Sequence, residues 1–309
     1  MKKIFYLIVL ISFICSLNIS AEKLPALVIM YDDGFKEDME LAYPVHRENN
    51  IPAVAAVNTS EIGEKGRLTE EDIIKLSESG WEIAGHGHYH TALIFHSIKE
   101  KVNSGEKEIA VRNSFLMDRR YDYIIFNVYS SKGEKISISK IERKNNKNYI
   151  ILDLPLKLNY PKEGSYVRIS DNSMKDEILK PKNILKDMGL EVSTFVYPYN
   201  GHFKLAQDYV SQYYAAARAG HRKGQIFPEA FLNKSPFSKY NLKGTGFEKN
   251  LITDKDLNYL LEKTAEEKAL LILYGHPKNE FFSVKRLKHI IDYSNKLDIN
   301  ITTLNKIFN

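Results

Sequence analysis

Two adjacent carboxylates, Asp32 and Asp33, end the stretch Ala-Leu-Val-Ile-Met-Tyr-Asp-Asp-Gly at residues 26–34. Like charges this close repel unless a cation or a proton relieves them. Some fifty residues on, Trp-Glu-Ile-Ala-Gly-His-Gly-His-Tyr-His at 81–90 places three histidines in one short loop. One carboxylate plus two imidazoles makes an open metal site, and the spare carboxylate can act as a base. Alternation leaves the imidazole pair open: His86 with His90, His86 with His88, or His88 with Glu82. Two carboxylates capping the following helix is the plainer reading of Asp32 and Asp33.

Positioning such groups takes strands that end where the loops begin. Residues 26–31 form a short apolar run bounded by turn signals, which reads as a buried strand. A helix is expected at 37–49, made irregular by Pro44, and a strand at 51–57. Thr69-Glu-Glu-Asp72 carries a capping-box pattern, and Gly80 ends the helix it opens. Residues 81–84 form a third strand. Strand and helix in alternation mean βα units and a parallel sheet, whose chemistry lies at the strands' C-terminal ends. From 101 to 171 the pattern changes to strands at 121–129, 135–142, 148–156 and 165–170, separated by turn signals. This reads as a small antiparallel β module inserted into the α/β chain. Afterwards come a helix at 174–188 bent or restarted at Pro181, strands at 191–197 and 213–217, and a helix at 253–267. A strand at 269–274, a helix at 284–297, a strand at 299–303 and a short terminal helix finish the chain. The expected fold is a deformed (β/α) barrel of seven or eight strands.

Four motifs recur in a known order. Tyr-Asp-Asp-Gly at 31–34, His-x-x-x-His at 86–90, Tyr-Pro-Tyr at 197–199 and a late strand ending in His276 resemble those of the polysaccharide deacetylases, the NodB homology family or carbohydrate esterase family four. The resemblance covers residues 24–57, 67–93 and 174–303. It implies Asp32 as general base and Asp33, His86 and His90 as ligands of a divalent metal, zinc first, with cobalt, nickel or iron also suited to the donors. It implies the Tyr199 N–H as an oxyanion donor and His276 as general acid. The implied reaction is hydrolysis of N-acetyl groups on a cell-wall or exopolysaccharide glycan. Two positions depart from the family pattern. Val196 stands where many members carry an arginine that braces the catalytic aspartate; Arg218, in Tyr-Ala-Ala-Ala-Arg, is the candidate replacement, with a surface ion pair as its other reading. Gly275 stands where a large apolar residue is usual. These departures keep two alternatives in view: a glycan-binding pseudoenzyme, and an amidase acting on another C–N bond. Among the other histidines, His88 is expected in the loop or facing substrate, His96 at the surface, and His46, His202, His221 and His289 in structural or surface roles.

Composition narrows the setting. The chain has 309 residues, and Lys2-Lys3, an apolar run at 4–15 and Ser20-Ala21 read as a signal peptide over 1–21, so an exported protein is expected. The apolar run is short for a membrane span, and no later segment spans. The remaining chain divides into a barrel at 22–100 and 172–309 and the inserted module at 101–171. Cys15 is the sole cysteine, which rules out disulfides, thiol nucleophiles and cysteine-held zinc after cleavage. The net charge is +5, with 14 Lys and Arg against 9 Asp and Glu between 101 and 171. That surplus is a solvated face, or a contact for an anionic glycan. It is too modest, on an exported chain, to suggest nucleic acid.

Overall fold

The computed structural model describes residues 25–130, 132–220 and 228–309. The expected signal peptide, Cys15 and His221 lie outside the described residues. Strand β1 (Ala26–Tyr31) leads to a π-helical turn at Asp38–Ala42 and helix α1 (Tyr43–Asn49), with Pro44 in the first turn of α1. β2 (Val54–Val57), α2 (Glu70–Glu78) and β3 (Glu82–Gly85) follow, and Thr69 and Asp72 close the capping box at the start of α2. The chain then builds an antiparallel sheet from β4 (His96–Ser97), β5 (Glu108–Val111), β6 (Asp122–Asn127), β7 (Gly133–Lys144), β8 (Lys147–Leu152) and β9 (Ser165–Ile169). It returns through α3 (Asp171–Asp187), β10 (Thr194–Val196), α4 (Lys204–Tyr213), β11 (Ala216–Gly220) and β12 (Leu242–Gly246). Last come α5 (Asp254–Glu266), β13 (Leu270–Gly275), α6 (Val284–Lys296), β14 (Asn300–Thr302) and α7 (Leu304–Phe308).

The parallel strands run in the order β1, β2, β3, β10, β11, β12, β13, and β13 pairs back onto β1, closing a seven-stranded deformed (β/α) barrel. β14 pairs only with the first half of β1, because β2 takes the second half of that edge. The antiparallel sheet runs β4-β9-β6-β7-β8-β5, and an Ile98–Val111 bridge brings its two ends together.

Period-two alternation explains how the barrel serves a site. Ala26, Val28 and Met30 of β1 share one small apolar cluster with Val54, Ala56, Ala84, Val196, Ala216, Leu242, Leu270 and Ile272. Leu27, Ile29 and Tyr31 belong instead to the large cluster with the helices. The first set is therefore the barrel interior, capped by Leu304 and Ile307 of α7. The same parity reaches Arg218 within β11 and, just past four other strands, Asp32, His86, Glu248 and His276. Alternation on five of the seven strands thus puts five polar residues on the parity of the barrel interior.

Four local expectations are corrected. Arg218 lies inside β11, which runs 216–220 rather than ending at 217. β12 was not anticipated, because Leu-Lys-Gly-Thr-Gly offers little β propensity. α3 starts earlier than expected and passes unbroken through Pro181, which packs against the backbone of Gly85. His96 is also not at the surface. It is 2 % exposed, and burial pulls its pKa down to about 4.

Candidate active site

Asp33 follows β1 in a left-handed conformation (φ 77°), which turns its side chain away from the direction of Asp32. Its Oδ1 lies 3.4 Å from His86 Nε2 and 3.2 Å from His90 Nε2, and the two nitrogens are 3.2 Å apart. His86 Nδ1 sits 2.9 Å from the Val196 carbonyl, so that nitrogen donates a proton there and Nε2 is the atom turned toward Asp33 and His90. Burial, followed by the neighbouring His86, pulls the pKa of His90 down to about 4, keeping that ring neutral. Burial would raise the Asp33 carboxyl, but the two imidazoles outweigh it and hold it below the usual carboxylate range. Two imidazoles and one carboxylate converge on one point, a donor set that fits a divalent cation. His88 does not join them; it is half-buried and paired with Thr59 Oγ1 at 3.0 Å.

Asp32 takes the other direction. Its Oδ2 accepts a 2.6 Å hydrogen bond from Arg218 Nη2, and both side chains are buried. Arg218 Nη1 donates to Asn200 Oδ1 at 2.8 Å, Asn200 donates to Tyr274 Oη at 3.0 Å, and the guanidinium lies 4.3 Å from the Tyr274 ring centroid. Gly244 gives this arginine room, since a Cβ there would approach Arg218 Cδ to 2.9 Å. The guanidinium looked for at position 196 reaches Asp32 from the adjacent strand, whose Arg218 is the register partner of Val196.

His276 follows β13 and is anchored by a residue that the sequence reading missed. Glu248, 1 % exposed, accepts from both the backbone N–H (2.9 Å) and Nδ1 (2.7 Å) of His276. Burial would lower the imidazole's pKa, but the Glu248 bond and the charge of Asp32 outweigh it and push it up to about 9. Next to it, the Phe247 ring comes within 2.6 Å of where a Gly275 Cβ would stand. The apolar volume expected at 275 is therefore filled from 247. Tyr199 has a left-handed backbone (φ 54°), and its ring lies 4.3 Å from that of His90.

A second missed residue holds the histidine loop. Glu177 of α3, fully buried, accepts from Thr91 N (2.7 Å), Tyr89 N (2.9 Å) and Tyr121 Oη (2.9 Å), the last reaching over from the start of β6. Burial pushes its pKa up to about 7 against those amide bonds. Gly87, at φ 81°, leaves the space that Glu177 occupies. Replacing Glu177 with alanine strands two amides and a phenol at about 1–3 kcal/mol per unpaired group. Losing this outer support for His90 should weaken divalent-metal affinity about 10–100-fold. Calorimetric zinc titration of Glu177→Ala beside the wild type measures this, and unchanged affinity would show that the loop holds itself.

The polysaccharide deacetylase family model matches residues 21–119, which carry the two carboxylates and the histidine loop, and so shows the family resemblance that the motifs suggested. The site residues from Glu177 onward lie outside that match. In fold, the chain is similar to a deacetylase solved with its substrate, at 10 % identity and a TM-score of 0.50, covering 94 % of each chain. Weaker likenesses are to a family 4 acetyl xylan esterase from Clostridium thermocellum holding a cobalt ion (12 % identity, 92 % and 90 % covered, TM-score 0.46) and to the Xyl-CE4 domain of a multidomain xylanase from the hindgut metagenome of Trinervitermes trinervoides (11 % identity, 92 % and 89 % covered, TM-score 0.46). No curated protein matches the chain.

Proposed function

We propose that this protein is an exported, metal-dependent deacetylase that hydrolyses N-acetyl groups on an amino-sugar polysaccharide, releasing acetate and a free amine. The observation that carries the reading is the separation of two adjacent aspartates, Asp33 into a His86–His90 donor set and Asp32 onto Arg218, opposite a histidine whose raised pKa suits a proton donor. Asp33, His86 and His90 would hold the cation, zinc first. When bound, it would supply Lewis-acid polarisation of the acetyl carbonyl and make water acidic enough to attack. Asp32, oriented by Arg218, takes the proton of the attacking water as oxygen adds to the carbonyl carbon. The Tyr199 N–H is assigned to the oxyanion. His276 gives its proton to the sugar nitrogen as the C–N bond breaks, and Glu248 keeps that proton available near neutral pH. In this reading residues 22–100 and 172–309 form the catalytic barrel and 101–171 an added module.

The test is acetate release from N-acetylglucosamine oligomers by the purified chain. Release should stop with chelator, return with zinc or cobalt, and fall at least about 10³-fold in Asp32→Asn, which removes the base. Release that survives both treatments would overturn the assignment.

A further inference from the structure

A cluster of four aromatic rings lies where the barrel meets the antiparallel sheet. Phe95 stacks on Phe203 at 5.0 Å with the planes 26° apart, meets Phe126 edge-on at 5.3 Å and lies 5.9 Å from Tyr166. Phe126 and Tyr166 are register partners on β6 and β9. Arg168 borders the group, its guanidinium 5.7 Å from the Phe203 ring and its Nη1 2.6 Å from Asp171 Oδ1. A seam joining two sheets would need these rings, but it would bury them. Phe95, the ring at the centre, stays 43 % exposed, and the other three are half-buried.

The cluster continues the site described above. Residues 93–95 and 201–203 run side by side: Phe203 N–H donates to the Leu93 carbonyl, Leu93 bridges His202 in parallel, and a Gly201 Cβ would stand 2.6 Å from Ile94. These two segments follow directly from the loops that bring His90 and Tyr199 together. Phe203 is four residues beyond Tyr199, so their Cα atoms are at most about 14 Å apart. A pyranose has an apolar C–H face and a rim of hydroxyls. A rigid aromatic face with a charged, hydrogen-bonding border matches both, and rings already held by their neighbours lose little freedom when a sugar covers them.

We propose that Phe95, Phe203, Phe126 and Tyr166 form a sugar-stacking platform for units of the amino-sugar chain beyond the one being deacetylated, so that the antiparallel sheet and the barrel together favour long chains. The proposal rests on the deacetylase reading above for the chemical class of its ligand. The experiment compares the dimer and hexamer of N-acetylglucosamine. In the wild type, KM should be roughly tenfold lower for the hexamer, a size within the range of one stacked ring. Phe95→Ala should lose most of that advantage while keeping wild-type kinetics on the dimer, which also reports that the variant is folded. Phe126→Ala, on the added sheet, should reduce it in the same direction, and Phe95→Trp should keep it. A Phe95→Ala enzyme with normal dimer kinetics and the full hexamer advantage would overturn the platform, as would a wild type with no length preference. If the wild type releases no acetate from either oligomer, the deacetylase reading falls, and calorimetric hexamer binding decides the platform. Binding weakened by Phe95→Ala supports it; binding that is absent or unchanged overturns it.

Discussion

Arg218→Met should lower acetate release by about 10²-fold or more and destabilise the fold by about 3–5 kcal/mol. The two effects share one cause. Arg218 is fully buried and supplies the 2.6 Å hydrogen bond to Asp32, itself 3 % exposed. Removing one partner of a buried ion pair leaves the other charged in a poorly solvating site, and the usual cost lies in that range. The kinetic effect is separate, since a base displaced by even an ångström from the attacking water loses about two orders of magnitude. The substitution also frees Asn200 from Arg218 Nη1, so the turn that carries Tyr199 loses a tie to β11. Arg218→Lys retains the charge but not the fork that holds Asp32 and Asn200 together, and should recover stability better than turnover. Acetate release and denaturant unfolding on the same preparations measure both. Near-normal turnover in Arg218→Met would reduce the arginine to a structural ion pair.

Glu248→Gln should move the alkaline limb of the pH–rate profile to lower pH and reduce turnover at pH 8 by about tenfold or more. Burial alone would make His276 a weaker base; the Glu248 hydrogen bond and the Asp32 charge reverse that and raise its pKa to about 9. A group whose pKa is higher folded than unfolded adds stability that is fully present below its unfolded value near 6.5. That contribution is lost as pH rises through about 9. The proton donor follows the same curve, so the rate should fall on the alkaline side. A bound cation pulls the limb down from this value, since positive charge disfavours imidazolium. The glutamine keeps one acceptor but removes the negative charge, so donor loss should begin at lower pH. Profiles of kcat and kcat/KM for both proteins check this. An alkaline limb that stays in place would mean that Glu248 only positions the ring.

The barrel was legible because its signals are local. An apolar run ending in Asp-Asp-Gly and a Gly-His-Gly-His-Tyr-His loop each declare a strand end within ten residues, and the family match falls on that part of the chain. Arg218 could be picked out from its Ala-Ala-Ala-Arg setting, although its place inside the strand could not. Glu248 and Glu177 left no such mark. Glu248 meets His276 across 28 residues, and Glu177 meets Thr91 across 86, so only the closed fold brings either to its partner. β12 was missed for a related reason. Its glycines weaken the strand pattern, yet Gly244 and Gly246 stand where Cβ atoms would crowd Arg218 and Glu248. His96 was misjudged because the sheet that buries it is assembled from strands far along the chain.

The Phe247–Gly275 contact has a wider consequence. Here the bulk beside His276 comes from the end of β12 and leaves position 275 bare; similarly, the guanidinium on Asp32 comes from β11 and leaves Val196 aliphatic. In each case a neighbouring strand fills the space beside a site residue, so the two positions act as a pair. A bulky residue placed at 275 would collide with Phe247 unless 247 shrank as well. Volume at 275 and at 247 is therefore coupled, so the effects of enlarging one and shrinking the other should be far from additive.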